Sequence, residues 1–220
     1  MPSLTVENYI KAIYQIGLKQ PEGAVATGQV AAALGVSPGT VTSMLKTLSE
    51  SGLATYAPYE GAKLTPAGQA LALRVVRRHR LIELFLVETL RLSWDEVHEE
   101  AEHMEHAVSD LLVDRIDAYL GYPQFDPHGD PIPRADGTVE MLELRSLAEC
   151  PAGYAFRLAR VADQSPEFLR FLTETGLALG TEGDVTTNRA QAGIVSLRTE
   201  AGETTLGREA AEKILVVPKE

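Results

Sequence analysis

The segment Trp94-Asp95-Glu96-Val97-His98-Glu99-Glu100-Ala101-Glu102-His103-Met104-Glu105-His106 constrains this chain more than any other stretch, because three of its five histidines lie there among six carboxylates. Ser93 reads as the cap of a helix that continues to about Leu120. On such a helix successive residues turn by about 100°, which places Glu105 roughly 20° and Glu102 roughly 40° to either side of His98, with His106 roughly 80° round. Ala101, Met104, Val108 and Leu111 make an adjoining apolar stripe, so the His/Glu face borders a core. Carboxylates crowded beside apolar surface repel one another and lose hydration. A divalent cation removes both costs. A solvated acidic face is the plain alternative; the histidines, their spacing and the apolar border favour ligation.

The net charge of −11 is unevenly spread: +4 over residues 1–80, −13 over 81–150 and −2 over 151–220. A basic head and an acidic middle suggest a polyanion bound at one end and cations at the other. The single cysteine, Cys150, excludes an internal disulfide and a thiolate metal cluster. No signal-peptide pattern and no membrane-length apolar run is visible, so a reducing cytoplasm and no membrane partner are expected.

Val6 to Leu18 reads as an amphipathic helix, and Thr27 to Leu34 as a shorter one ended by the Gly35-Val36 turn. Ser37-Pro38 is an N-cap followed by proline at the first helical position, opening a helix that ends at Gly52. Leu53 to Leu64 reads as a hairpin about Tyr59-Glu60-Gly61, and Thr65-Pro66 opens a long helix to Leu90. Gly121 to Pro133 cannot hold a helix and is expected to be a linker. Beyond it come short strands at Ala155–Val161, Gly183–Thr187, Gly193–Arg198 and Ile214–Val217, with a helix from Ser165-Pro166 to Gly176. The expected class is α+β: a winged helix-turn-helix domain over 1–73, a helical metal-binding domain over 74–137, and a small β-barrel-like domain over 138–220.

In the second helix of the helix-turn-helix, Val41, Leu45 and Leu48 face inward. Ser37, Gly39, Thr40, Ser43, Lys46 and Thr47 face out, as small or basic groups that can approach a major groove. His79 and Glu83 are an i, i+4 pair able to offer two ligands. His128, in the linker, is a further candidate, although a linker histidine is ordinarily solvated. An enzyme is the competing class, as a metal-carboxylate helical oxidoreductase or hydrolase. Against it, Glu102 stands where the zinc-protease pattern begun at His98-Glu99 needs histidine, and Glu100-x-x-His103 has no second copy.

Taken together these residues resemble the diphtheria-toxin-repressor family of metal-dependent regulators, in particular its manganese-responsive branch. The likeness runs through Glu7-Asn8-Tyr9-Ile10, Val36-Ser37-Pro38-Gly39-Thr40-Val41-Thr42, Leu64-Thr65-Pro66-x-Gly68 and Arg78-His79-Arg80-Leu81-Ile82-Glu83. It continues through Val97 to Asp110 and Pro127-His128-Gly129-x-Pro131-Ile132-Pro133. Gly176-Leu177-x-x-Gly180 with Leu206-Gly207 looks like an SH3-like (FeoA-type) domain. The resemblance implies a homodimeric repressor that binds a palindromic operator in double-stranded DNA, takes two metal ions per chain, and is activated by Mn(II), with Fe(II) the other candidate. It implies a primary site of Glu102, Glu105 and His106 with position 8 from the first helix. It implies a second site drawn from His79, Glu83 and His98, or from Glu83, Asp126, His128 and Asp163. Asn8 stands where manganese members usually have aspartate, and Lys11 where some have glutamate.

Overall fold

Ser3 caps the first helix, α1 (Leu4–Gly17), by accepting a hydrogen bond from the Val6 amide on its hydroxyl. This computed structural model describes residues 3–20 and 24–219. They fall into two packed units. The first comprises Met1–His79, His103–Asp110 and Pro133–Thr138, and the second Arg80–Glu102, Leu111–Ile132 and Val139–Glu220.

In the first unit α1 is followed by α2 (Thr27–Leu34) and α3 (Pro38–Glu50). Gly35 ends α2 with φ 64°, and the Ser37 hydroxyl accepts the Thr40 amide at 3.2 Å to start α3, as the Gly and Ser-Pro signals predict. Strands β1 (Ala54–Ala57) and β2 (Gly61–Leu64) form the antiparallel wing. Tyr9, Ile10, Ile13, Val30, Val41, Leu45, Leu48 and Ala62 share one core, so α1 is packed into the same apolar body as α3. Thr65 caps α4 (Pro66–Leu90) through the Gly68 amide. A side chain at Gly68 would bring its Cβ to 1.9 Å from the Leu53 carbonyl oxygen, which explains the glycine of the Thr-Pro-x-Gly sequence.

The expected continuous helix from Ser93 to Leu120 is two helices. α5 spans Val97–Met104 and α6 spans Asp110–Tyr119, with non-helical turns between them. Ser93 does not start α5 directly; its amide and hydroxyl both donate to the Glu96 carboxylate. The helical-wheel placement therefore holds for His98 and Glu102 but not for Glu105 and His106. The Met104 carbonyl accepts from the Ala107 and Val108 amides, and this turn re-aims both side chains.

The second unit is built on a six-stranded antiparallel sheet in the order β3-β8-β4-β5-β6-β7: β3 (Arg145–Ser146), β4 (Ala155–Val161), β5 (Glu182–Arg189), β6 (Ile194–Thr199), β7 (Gly202–Gly207) and β8 (Ile214–Pro218). With α7 (Pro166–Glu174) and the short α8 (Arg208–Glu212) this is the SH3-like fold. β3, β7 and α8 were not legible beforehand. A bulge between Leu158 and Arg160 shifts the side-chain parity of β4, so that Phe156, Leu158 and Val161 all face the core. The expected linker is no solvated tether. Asp126 and His128 within it are buried, and the Val161 amide donates to the His128 carbonyl. Gly129, at φ 84°, lies where a Cβ would stand 2.0 Å from the Ala159 carbonyl oxygen, so only glycine lets the segment close on β4.

Candidate metal centres

In the first unit, Glu105 and His106 follow directly on the end of α5. Glu105 is fully buried; its Oε2 accepts from Lys11 Nζ at 2.7 Å and lies 2.7 Å from His79 Nδ1. Burial pushes the Glu105 carboxyl up, but the His79 hydrogen bond and the Lys11 charge outweigh it and hold the group below the ordinary glutamate value. His106 Nδ1 lies 2.7 Å from Glu7 Oε2. An ionised Glu7 only accepts, so Nδ1 carries the hydrogen, and in a neutral imidazole Nε2 presents its lone pair. That lone pair faces Glu105 Oε1 at 3.2 Å. Neither atom has a hydrogen-bond partner, and neither does the buried Asn8 Oδ1. Two acceptors turned toward each other in a dry interior require a proton or a cation between them. Carboxylate oxygen and imidazole form a hard to intermediate donor set that suits Mn(II) or Fe(II).

Glu7 was not singled out by the sequence, because a lone glutamate in the first turn of a helix ordinarily serves the helix dipole. Here it is buried, 3.5 Å from Arg78, whose other nitrogen donates to Asp110 at 2.7 Å. Arg74 donates to the second Asp110 oxygen. The Arg78 hydrogen bond, against burial and with help from the Arg74 charge, holds the Asp110 carboxyl below its usual value.

In the second unit, Glu83, Asp126 and His128 are all buried, with one ligand atom from each within 4.8 Å of the others. His128 Nε2 lies 2.7 Å from the Trp94 backbone oxygen, and its ring stacks on the Trp94 ring at 6.2 Å. A carbonyl only accepts, so Nε2 carries the hydrogen. Nδ1 is then a lone pair 3.9 Å from Glu83 Oε2, without a hydrogen-bond partner. Asp126 Oδ1 accepts the His128 and Asp130 amides, and its Oδ2 lies 3.5 Å from Arg80 Nε. Burial, followed by the charges of Asp130 and Glu83, pushes the Asp126 carboxyl up to about 8. This is a second crowded acidic cluster with an orphaned imidazole lone pair, and it too fits a divalent ion.

Of the remaining expected ligands, His98 is half-exposed, with Nδ1 3.2 Å from Glu83 Oε1 and Nε2 3.8 Å from Glu102 Oε1. His79 is held in the first unit by Lys11 and Glu105. Asp163 does not join Glu83, Asp126 and His128; its carboxylate accepts from Lys213 and from the Ser165 amide. Cys150 is buried in the apolar core of the SH3-like fold, away from the ligand sets.

Ser37, Gly39, Thr40, Ser43 and Lys46 are all exposed along α3, opposite the buried Val41, Leu45 and Leu48. The wing adds Tyr59, fully exposed at its tip with φ 69°.

The model for the N-terminal DNA-binding domain of the iron-dependent repressors matches residues 1–62, that for their metal-binding and dimerisation domain matches 65–134, and the FeoA domain matches 145–218. The diphtheria toxin repressor of Corynebacterium glutamicum is 30% identical over 193 residues, covering 82% of this chain and 83% of that protein. This chain belongs to the iron-dependent repressor family. Another relative is the iron-dependent repressor IdeR of Mycobacterium tuberculosis, 35% identical over 160 residues, or 68% of this chain and 67% of that protein. A solved manganese-dependent transcriptional repressor in complex with manganese is 41% identical, with a TM-score of 0.87 over 97% of this chain and 100% of that one. Members of the iron-dependent repressor family are metal-dependent, DNA-binding transcriptional repressors and not enzymes, which sets aside the metal-carboxylate enzyme alternative. Their second domain is a dimerisation domain. No helix among the described residues is long and apolar enough to cross a membrane.

Proposed function

We propose that this chain is a cytoplasmic, Mn(II)-activated repressor of metal-uptake genes that acts as a homodimer on a palindromic operator, organised as domains 1–73, 74–137 and 138–220. Fe(II) is the competing activator. The observation that carries the metal reading is the facing pair of unpartnered acceptors, His106 Nε2 and Glu105 Oε1; Asn8 Oδ1 is a further buried oxygen without a partner. A divalent ion supplies the positive charge these atoms lack. The donor set contains no thiolate, which favours Mn(II) or Fe(II) over softer ions. The manganese-bound relative supports the choice of Mn(II).

Two ions per chain are proposed. The first is held by Asn8, Glu105 and His106, with Glu102 carried over as a ligand by family likeness. The second is held by Glu83, Asp126 and His128. The alternative second set, with His79 and His98 around Glu83, stands as the competing assignment.

The chain's own residues make the first ion a switch. Asn8 lies on α1, and α1 shares its core with the recognition helix α3. Holding Asn8 against Glu105 and His106 therefore limits how α1 and α3 can move. Two such heads in a dimer would be set at a defined spacing, matching the half-sites of a palindrome. The exposed Leu111, Leu112 and Tyr119 on α6 are the proposed dimer surface. Ile116, on the same helix, is buried.

The test is operator binding by fluorescence anisotropy under anaerobic conditions, titrated with Mn(II) and with Fe(II), for the full chain and for His106→Ala. Metal-dependent binding that His106→Ala abolishes, with Mn(II) effective at lower free concentration, supports the reading. Binding that ignores metal, or survives the substitution, refutes it.

A further inference from the structure

Lys11 is an unexpected occupant of the first centre. A lysine in the middle of a helix ordinarily runs to solvent. This one is 5% exposed, and its Nζ lies 2.7 Å from Glu105 Oε2 and 3.1 Å from His79 Nδ1. A carboxylate oxygen and an imidazole nitrogen converging on one cationic atom is the environment a divalent ion would take. We propose that Lys11 is a resident cation of this centre: it holds Glu105 Oε2, beside His79 Nδ1, in place of a second metal ion. The unit therefore takes one ion, and takes it at a higher free concentration than the same ligands would without the lysine. This rests on the proposed metal centre at Asn8, Glu105 and His106.

The buried charges support it. Glu105 lies 2.7 Å from Lys11 and Glu7 3.5 Å from Arg78, so both buried carboxylates have a cation beside them before any metal arrives. Asn8 adds no charge. An incoming ion at Glu105 Oε1 shares one carboxylate with the Lys11 ammonium at Oε2. Two cations so close, in a site where water screens poorly, repel each other strongly. The same repulsion closes the position between His79 and Glu105 to a second ion. A neutral or acidic side chain at position 11 would lift it.

The measurement is the number and affinity of Mn(II) ions that depend on His106, taken as the difference between each chain and its His106→Ala counterpart. Ions are counted by elemental analysis and affinities read by calorimetry, with circular dichroism to confirm folding. The expected result is one such ion in the natural chain, one ion bound on the order of tenfold more tightly in Lys11→Gln, and two in Lys11→Glu. Two His106-dependent ions in the natural chain would overturn the proposal, and this count needs no substitution at position 11. So would unchanged or weaker binding in Lys11→Gln. A natural chain with no His106-dependent ion would instead remove the centre itself, and the lysine's role with it.

Discussion

Glu7 and His106, ninety-nine positions apart, meet at 2.7 Å between Oε2 and Nδ1, and this contact decides which ring nitrogen of His106 is available as a ligand. With Nδ1–H committed to Glu7, only Nε2 can face the centre. Replacing Glu7 with Gln keeps an acceptor for that hydrogen but removes the charge that raises the basicity of the ring. Losses of partners of this kind cost about 10–100-fold in metal affinity. Glu7→Gln should weaken Mn(II) binding within that range while circular dichroism shows the fold retained. An unchanged calorimetric affinity would mean that the contact does not tune the ligand.

Asn8 offers an amide oxygen where a carboxylate would hold an ion more firmly. Asn8→Asp should raise Mn(II) affinity, and Asn8→Ala should reduce the coupling between metal and operator more than it reduces metal affinity itself. Couplings of this kind amount to about 1–3 kcal/mol, and each ligand must tighten the other by the same factor. Operator affinity measured with and without saturating Mn(II) gives the coupling. Equal values in the natural chain and Asn8→Ala would break the link from the centre through α1.

Asp126 should make the metal-free protein sensitive to alkali. Its carboxyl is raised to about 8 in the folded state, from an ordinary value of 3.8. Between those limits the folded chain keeps a proton that the unfolded chain releases, so stability falls as pH rises through the window, by at most about 1.4 kcal/mol per pH unit. Above the folded value the fall ceases. Urea titrations in chelator from pH 5 to pH 9 should show this slope in the natural chain and a shallower one in Asp126→Asn. Parallel slopes would show that Asp126 is ionised throughout.

Lys46 is exposed on α3 beside small polar residues, and a phosphate is its most accessible partner. Lys46→Ala should weaken binding to every DNA sequence alike and reduce the salt slope of log K by about one. A slope identical to that of the natural chain would move the phosphate contact elsewhere on the domain.

The winged helix was legible because its signals are local. Gly35 must turn left-handed, Ser37-Pro38 must start a helix, and Val41, Leu45 and Leu48 recur at helical spacing whatever surrounds them. The strand β4 and the helix α7 were legible for the same reason. β7 was not: in Gly202–Gly207 only Leu206 is buried, and the strand exists because β6 offers it a hydrogen-bonding edge. The break after Met104 was also hidden, because helical periodicity continues through Glu105 and His106 as letters. What ends the helix is the turn that carries Glu105 to Lys11 and His79, and His106 to Glu7.

By itself, then, the sequence determined the candidate ligand types, the family and the order of the domains, all of which depend on residue identity and short-range spacing. Tertiary structure alone decided which carboxylates are dry, which imidazole lone pairs are left facing an acceptor, and that a lysine shares the first centre. Each of these turns on desolvation and on contacts between residues up to ninety-nine positions apart, and no window on the chain contains both partners.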